Sequence, residues 1–176
     1  NAIQKIQLEQ RRAINFYAID TNNLLSSLYR FLRDITPRSP RTEILRQLTL
    51  AVKSLQALDA INEAKSRYGS RSKTPGRIID TANASLPAFG SCLSWREIQG
   101  KRDTILELLE TLADANAPEP PKVALVGELY LLLEPYVNHY IEDVLVKQGV
   151  EVRKFVHTGE WAYANILLSK LGLYKE

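Results

Sequence analysis

The sequence is poor in the residues that most often carry chemistry: one cysteine, two histidines and two tryptophans in 176 residues, with no methionine. A lone thiol, Cys92, excludes an internal disulfide framework and any multi-cysteine metal site built from this chain alone. Unpaired cysteine usage fits a cytoplasmic protein. His139 and His157, distant from Cys92, give no zinc-ligand spacing. Long apolar runs are missing too. The longest, Val123 to Leu133, is interrupted by Glu128 and falls well short of the roughly 20 residues a membrane span needs, so no membrane is expected. Residues 3–17 carry Lys5, Glu9, Arg11 and Arg12 in place of the apolar stretch of a signal peptide. Nor is there an overall excess of one charge: 23 basic against 20 acidic side chains leave +3, and 45% of residues are hydrophobic. That composition excludes disorder as the main state. The absence of methionine and the opening Asn1-Ala2 suggest a piece cut from a longer protein, whose remainder would then be its first partner.

What is present is mostly helical periodicity. Ile3, Ile6, Ala13, Ile14, Tyr17, Leu24, Leu25, Leu28, Phe31, Leu32 and Ile35 recur at three- and four-residue steps, which predicts one long helix or two consecutive ones. Thr36-Pro37-Arg38-Ser39-Pro40 stops the pattern, because the residue before proline is pushed out of helical geometry. A second stripe runs from Ile44 through Leu48, Val52 and Leu55 to about Arg67. Tyr68 to Arg77 reads as a polar loop, followed by a short helix around Ile78–Ala84. Ser94-x-x-Glu97 predicts a capped helix start, with Ile98, Ile105, Leu108, Leu109 and Leu112 on its buried side. Three prolines within Pro118-Glu119-Pro120-Pro121 then make a stiff connector.

Beyond it the period changes. Lys122 to Val126 is a short apolar run before Gly127, the pattern of a buried parallel strand. A helix is expected from Pro135, with Glu134 near its positive end and Gly149 closing it. Val150 to Val156 alternates as a second strand, and Thr158 is placed to cap a last helix. The expected fold class is therefore mixed α/β and helix-rich: a helical region over residues 1–117, then a Rossmann-like βαβα unit over 118–176. Two strands do not make a stable open sheet, so the unit is expected to be incomplete.

Charge follows this division. Residues 36–77 carry nine Lys and Arg against three acids, whereas residues 118–176 carry six against eight. Within the basic segment Arg71, Lys73 and Arg77 are candidate phosphate contacts; a solvated loop is the plainer account. Aromatic interleaving is sparse and no recognised motif is present, which argues against nucleic acid. Gly127 ends a strand where open α/β folds place ligands, but Gly-Glu-Leu-Tyr is not a phosphate-binding fingerprint. Glu128, Tyr130, Glu134, Asn138 and His139 crowd the strand-to-helix connection. They serve either acid–base work or local capping. Cys92, in a Gly-Ser-Cys-Leu loop, reads as an inert small residue.

The segment Val-Ala-Leu-Val-Gly127-Glu-Leu-Tyr, followed by Glu134-Pro135-x-x-Asn138, Ile141-Glu142, Gly149-Val-Glu-Val152 and Trp161, resembles the central region of the 2-hydroxyacyl-CoA dehydratase superfamily. It is most similar there to the large CoA-substrate-specific enzyme activases. Asp20 through Thr36-Pro37-Arg38 and Glu43 resembles the helical stretch before that motif more loosely. The resemblance implies a Rossmann-like domain with helical additions, a CoA thioester as substrate, and a [4Fe–4S] cluster in the parent protein that an ATP-driven activator reduces by one electron. It also implies that Gly127, Glu128, Tyr130, Glu134 and Asn138 line the site, with no catalytic step assigned to any of them. Cluster cysteines and activator phosphate motifs are both missing from this sequence. The fragment itself is therefore expected to carry no cofactor and to be inactive alone, with an electron-transfer partner or a homo-oligomer completing it. A non-catalytic binding or scaffolding module with a basic loop is the alternative expectation.

Overall fold

A computed structural model describes residues 24–170 together with Tyr17 and Asp20. The stripe predicted over Ile3 to Ile14 lies outside the described residues. Among the described residues the chain is helix-rich with one small parallel sheet. In order it forms α1 (Leu24–Ile35), α2 (Arg41–Gly69), α3 (Pro75–Ser85), a 3-10 turn (Leu86–Ser91) and α4 (Trp95–Thr111). Then come β1 (Lys122–Leu125), α5 (Leu129–Leu133), α6 (Ile141–Lys147), β2 (Glu151–Lys154) and α7 (Thr158–Lys170).

The organising element is α2. At 29 residues it is about 43 Å long, and it packs against α1, α3, α4, α6, α7 and β2. Its apolar positions are accordingly not confined to one stripe. Ile44 and Leu48 are buried in its first half, and Ala57, Ile61 and Ala64 in its second. The main core joins Ile61 to Ile78 of α3, Phe89, Cys92, and Ile98 and Leu109 of α4. A smaller cluster joins Ile79 of α3 to Val146 of α6 and Val152 of β2. Adjacent residues on a helix point about 100° apart, so Ile78 and Ile79 face different clusters, and α3 serves both.

Two helix-end expectations can be followed bond by bond, and the first holds in part. The Ser94 hydroxyl accepts from the Glu97 N–H at 3.3 Å, while the Glu97 carboxylate accepts from the Leu93 N–H at 2.9 Å. That is one residue earlier than a reciprocal capping box requires. Gly149 closes α6 at φ 77°. Its N–H reaches the Val146 carbonyl, and that of Val150 reaches Leu145, both at 3.0 Å; this is the Schellman arrangement.

Two expectations change. The helix predicted from Pro135 begins only at Ile141. The Tyr140 N–H bonds back to the Pro135 carbonyl at 2.8 Å, and His139 and Tyr140 both take positive φ, 56° and 55°, so the chain reverses before the helix starts. The strand predicted to be buried, β1, instead leaves Val123 37% exposed, because among the described residues the helices that pack on this sheet, α2 and α6, do so chiefly through β2. Its strands run parallel, with Lys122 opposite Glu151 and Leu125 opposite Lys154.

Candidate functional site

The connection from β1 to α6 is built from short, self-capped turns. Glu128 accepts from the N–H groups of Tyr130 at 2.9 Å and Leu131 at 3.2 Å, which satisfies the start of α5. Glu134 does the same for the Tyr136 N–H at 3.2 Å. The Asn138 side-chain amide donates to the Leu131 carbonyl at 2.9 Å, tying the turn back onto α5. This donor role fixes the carboxamide, and its Oδ1 is left buried without a hydrogen-bond partner. A buried unpaired acceptor costs about 1–3 kcal/mol. Immediately after it come the two left-handed residues, and strained backbone of this kind concentrates at functional sites. His139→Gly is expected to raise stability by about 0.5–1 kcal/mol, because glycine relieves the left-handed penalty at some entropic cost. An unchanged urea midpoint would show that the backbone there is not strained.

Behind this turn lies a cavity of about 270 Å³, between the turn, α2 and α3. Asn138, Pro135 and Tyr140 form its wall on the turn side, and Asn62 and Lys65 come from α2. Asn83, Leu86, Glu142 and Asp143 complete it. Lys65 is only 8% exposed and pairs with Asp143 at 2.7 Å, while Lys154 pairs with Glu142 at 2.7 Å. Of the residues singled out by resemblance, Asn138 lines this cavity, whereas Gly127, Glu128, Tyr130 and Glu134 do not. Tyr130 is 61% exposed, and a Cβ built on Gly127 would meet nothing within 4 Å.

Sequence reasoning missed Asn62, Lys65, Asn83, Glu142 and Asp143 as a group. Their one legible signal is Lys65, a charge set among the apolar positions of α2. Nothing in the local pattern says that the partner of Lys65 lies 78 positions away.

The remaining candidates fall elsewhere. In the basic loop Lys73 pairs with Asp114 at 3.2 Å. The Asn116 N–H and Lys73 together hold the Asp114 carboxyl below its ordinary range. Arg71 lies beside the proline connector with Glu119, and Arg77 is exposed on α3. Two of the three cations thus face carboxylates of their own chain. The Cys92 thiol is buried and donates to the Ala88 carbonyl at 3.6 Å. His157 sits at the foot of α7, where its charge acts on the Asp59 carboxyl.

These donors do not fit an iron–sulfur cluster. A [4Fe–4S] centre is ordinarily held by four thiolates, the chain supplies one, and it is committed to the core. Among the described residues no group of three or more His, Cys, Asp or Glu side chains converges. No helix among them is long and apolar enough to cross a membrane. The fold and cavity therefore define a helix-rich protein with a two-stranded parallel sheet and a polar cradle at its strand-to-helix turn. No protein-family model matches the sequence, and no curated protein or solved structure shows significant similarity to it.

Proposed function

We propose that the chain is part of a 2-hydroxyacyl-CoA dehydratase-like or activase-like protein acting on CoA thioesters. In this reading, β1, the turn and α6 form one wall of a Rossmann-like ligand cleft. The observation that supports it most is the position of Asn138. Of the five site residues carried by the resemblance, the one that completes the Glu-Pro/Asn pattern lines the cavity, directly before the strained pair His139–Tyr140. In this reading the chain contributes binding and positioning. The cluster, its electron donor and the missing strands come from other polypeptide. Isothermal titration of the chain with a 2-hydroxyacyl-CoA tests it. Saturable binding that weakens at least about tenfold in Asn138→Ala, the equivalent of one lost hydrogen bond to a buried acceptor, would support the reading. No binding at millimolar thioester, or turnover by the pure chain, would overturn it.

A second reading, a binding or scaffolding module, is favoured by the exposed apolar side chains around β1. Val126, Tyr136 and Phe155 are 75–77% exposed, and large exposed apolar patches mark interaction sites.

A further inference from the structure

We propose that the cavity between α2, α3 and the Glu134–Tyr140 turn binds a neutral group that presents an N–H donor beside a C=O acceptor, as an amide or an amide-edged ring does. The inference rests on reading that turn as a ligand wall, and does not require thioester chemistry.

Charge in the cavity decides the class. Both acids that face it are already neutralised: Asp143 by Lys65 at 2.7 Å, with side chains 15% and 10% exposed, and Glu142 by Lys154 at 2.7 Å, with 14% and 13%. An anion would have to compete with Asp143 for Lys65. A metal ion would have to displace a lysine from each carboxylate. Either exchange breaks a shielded ion pair, which is costly because it strands one charge.

What remains available is carboxamide. Among the described residues the side chains of Asn62 and Asn83 make no hydrogen bond, and Asn138 has committed one amide proton to Leu131 but not its oxygen. Each free carboxamide offers a donor pair and an acceptor side by side. That is the complement of another amide edge, and the same fit lets asparagine read the edge of adenine with two bonds. Leu86, Pro135 and Tyr140 supply apolar surface for the rest of the ligand. At about 270 Å³ the space lies just under the size of typical small-molecule pockets. It suits a single ring or a short amide chain, not a whole dinucleotide.

The test is a 1H–15N titration of the chain with two amide probes, D-panthenol (acyclic) and nicotinamide (ring-borne), and with inorganic phosphate as the anion. Expected is saturable movement of the Asn62 and Asn83 side-chain signals by at least one amide, with Kd of about 1 mM for a ligand of this size. Response to one probe alone identifies whether the chain or the ring form is taken. Asn83 is exposed, so Asn83→Ala should raise that Kd at least about fivefold at an unchanged thermal midpoint. No movement with either amide at about 20 mM, well above that Kd, or equal movement with phosphate, overturns the inference. Amide binding without thioester binding keeps this site and removes the thioester reading. Thioester binding that leaves the Asn62 and Asn83 signals unmoved does the reverse.

Discussion

Gly159→Ala is expected to destabilise the fold by about 3 kcal/mol, which for a chain of this size lowers Tm by about 10 °C. A Cβ at this position would lie 2.5 Å from the Gln56 nitrogen, 2.6 Å from Asp59 Oδ2 and 2.7 Å from the Leu55 carbonyl carbon. Two of those atoms are backbone of α2 and cannot give way, so α7 must retreat. Retreat also breaks its cap. The Asp59 carboxylate, reaching across from α2, accepts from the Gly159 N–H at 2.7 Å and the Glu160 N–H at 3.3 Å. The gain in helix propensity from alanine, about 0.5–1 kcal/mol, is too small to offset both losses. Gly127→Ala is the control: it meets nothing within 4 Å and should change stability by less than about 0.5 kcal/mol. Equal effects at the two glycines in thermal denaturation would mean that α7 does not seat on α2 as described.

Asp59 adds a pH signature. Burial pushes its carboxyl above the ordinary value, against the pull of the two N–H donors and of His157. A carboxyl raised in the folded state contributes stability that is full below its unfolded pKa and is lost as pH rises through the folded one. Asp59→Asn keeps an acceptor for the helix and cannot ionise. It should therefore flatten the fall in stability across that window; a profile parallel to wild type would separate Asp59 from it.

These two glycines also show where the sequence is legible and where it is not. Gly127 stands out in a sequence reading because it ends a strand pattern, yet it faces open space. Gly159 has no local signature, since what it must avoid is a helix a hundred positions earlier. Signals written within one turn of helix survive intact: the stop at Thr36-Pro37, the Ser94 cap and the left-handed Gly149 depend only on neighbouring residues. The helix expected from Pro135 fails for the complementary reason. Its apolar spacing is compatible with a helix, but Asn138 bonds back to Leu131 and the chain reverses through His139 and Tyr140. The cavity is the extreme case. Its α2 wall reads as an ordinary helix face until α6 brings Asp143 against Lys65, so of the polar groups in its wall only Asn138 is nominated beforehand, from the crowded strand-to-helix connection and again by resemblance.

Ser66→Ala is the other large effect, expected to cost about 3 kcal/mol. In a parallel pair, the N–H and C=O of one residue point to the same neighbour, and those of the next residue point away. The Glu151 N–H bonds to the Pro121 carbonyl at 2.9 Å, so Glu151 faces β1 and Val152 faces outward, where a third strand would normally lie. Instead the Ser66 hydroxyl accepts from the Val152 N–H at 2.7 Å and donates to the Val152 carbonyl at 2.9 Å. One hydroxyl can do both. Ser66 and Val152 are 3% and 5% exposed, so water cannot replace it, and alanine strands two buried backbone groups at about 1–3 kcal/mol each. The check is hydrogen exchange alongside urea denaturation. The Val152 amide should lose protection well before that of Glu151, and the urea midpoint should fall with m unchanged. Equal loss at both amides would mean the sheet opens as a unit. That would contradict an edge held by Ser66, and with it the consequence for assembly: α2 closes β2, so any further strand can join this sheet only along β1, beside exposed Val123 and Val126.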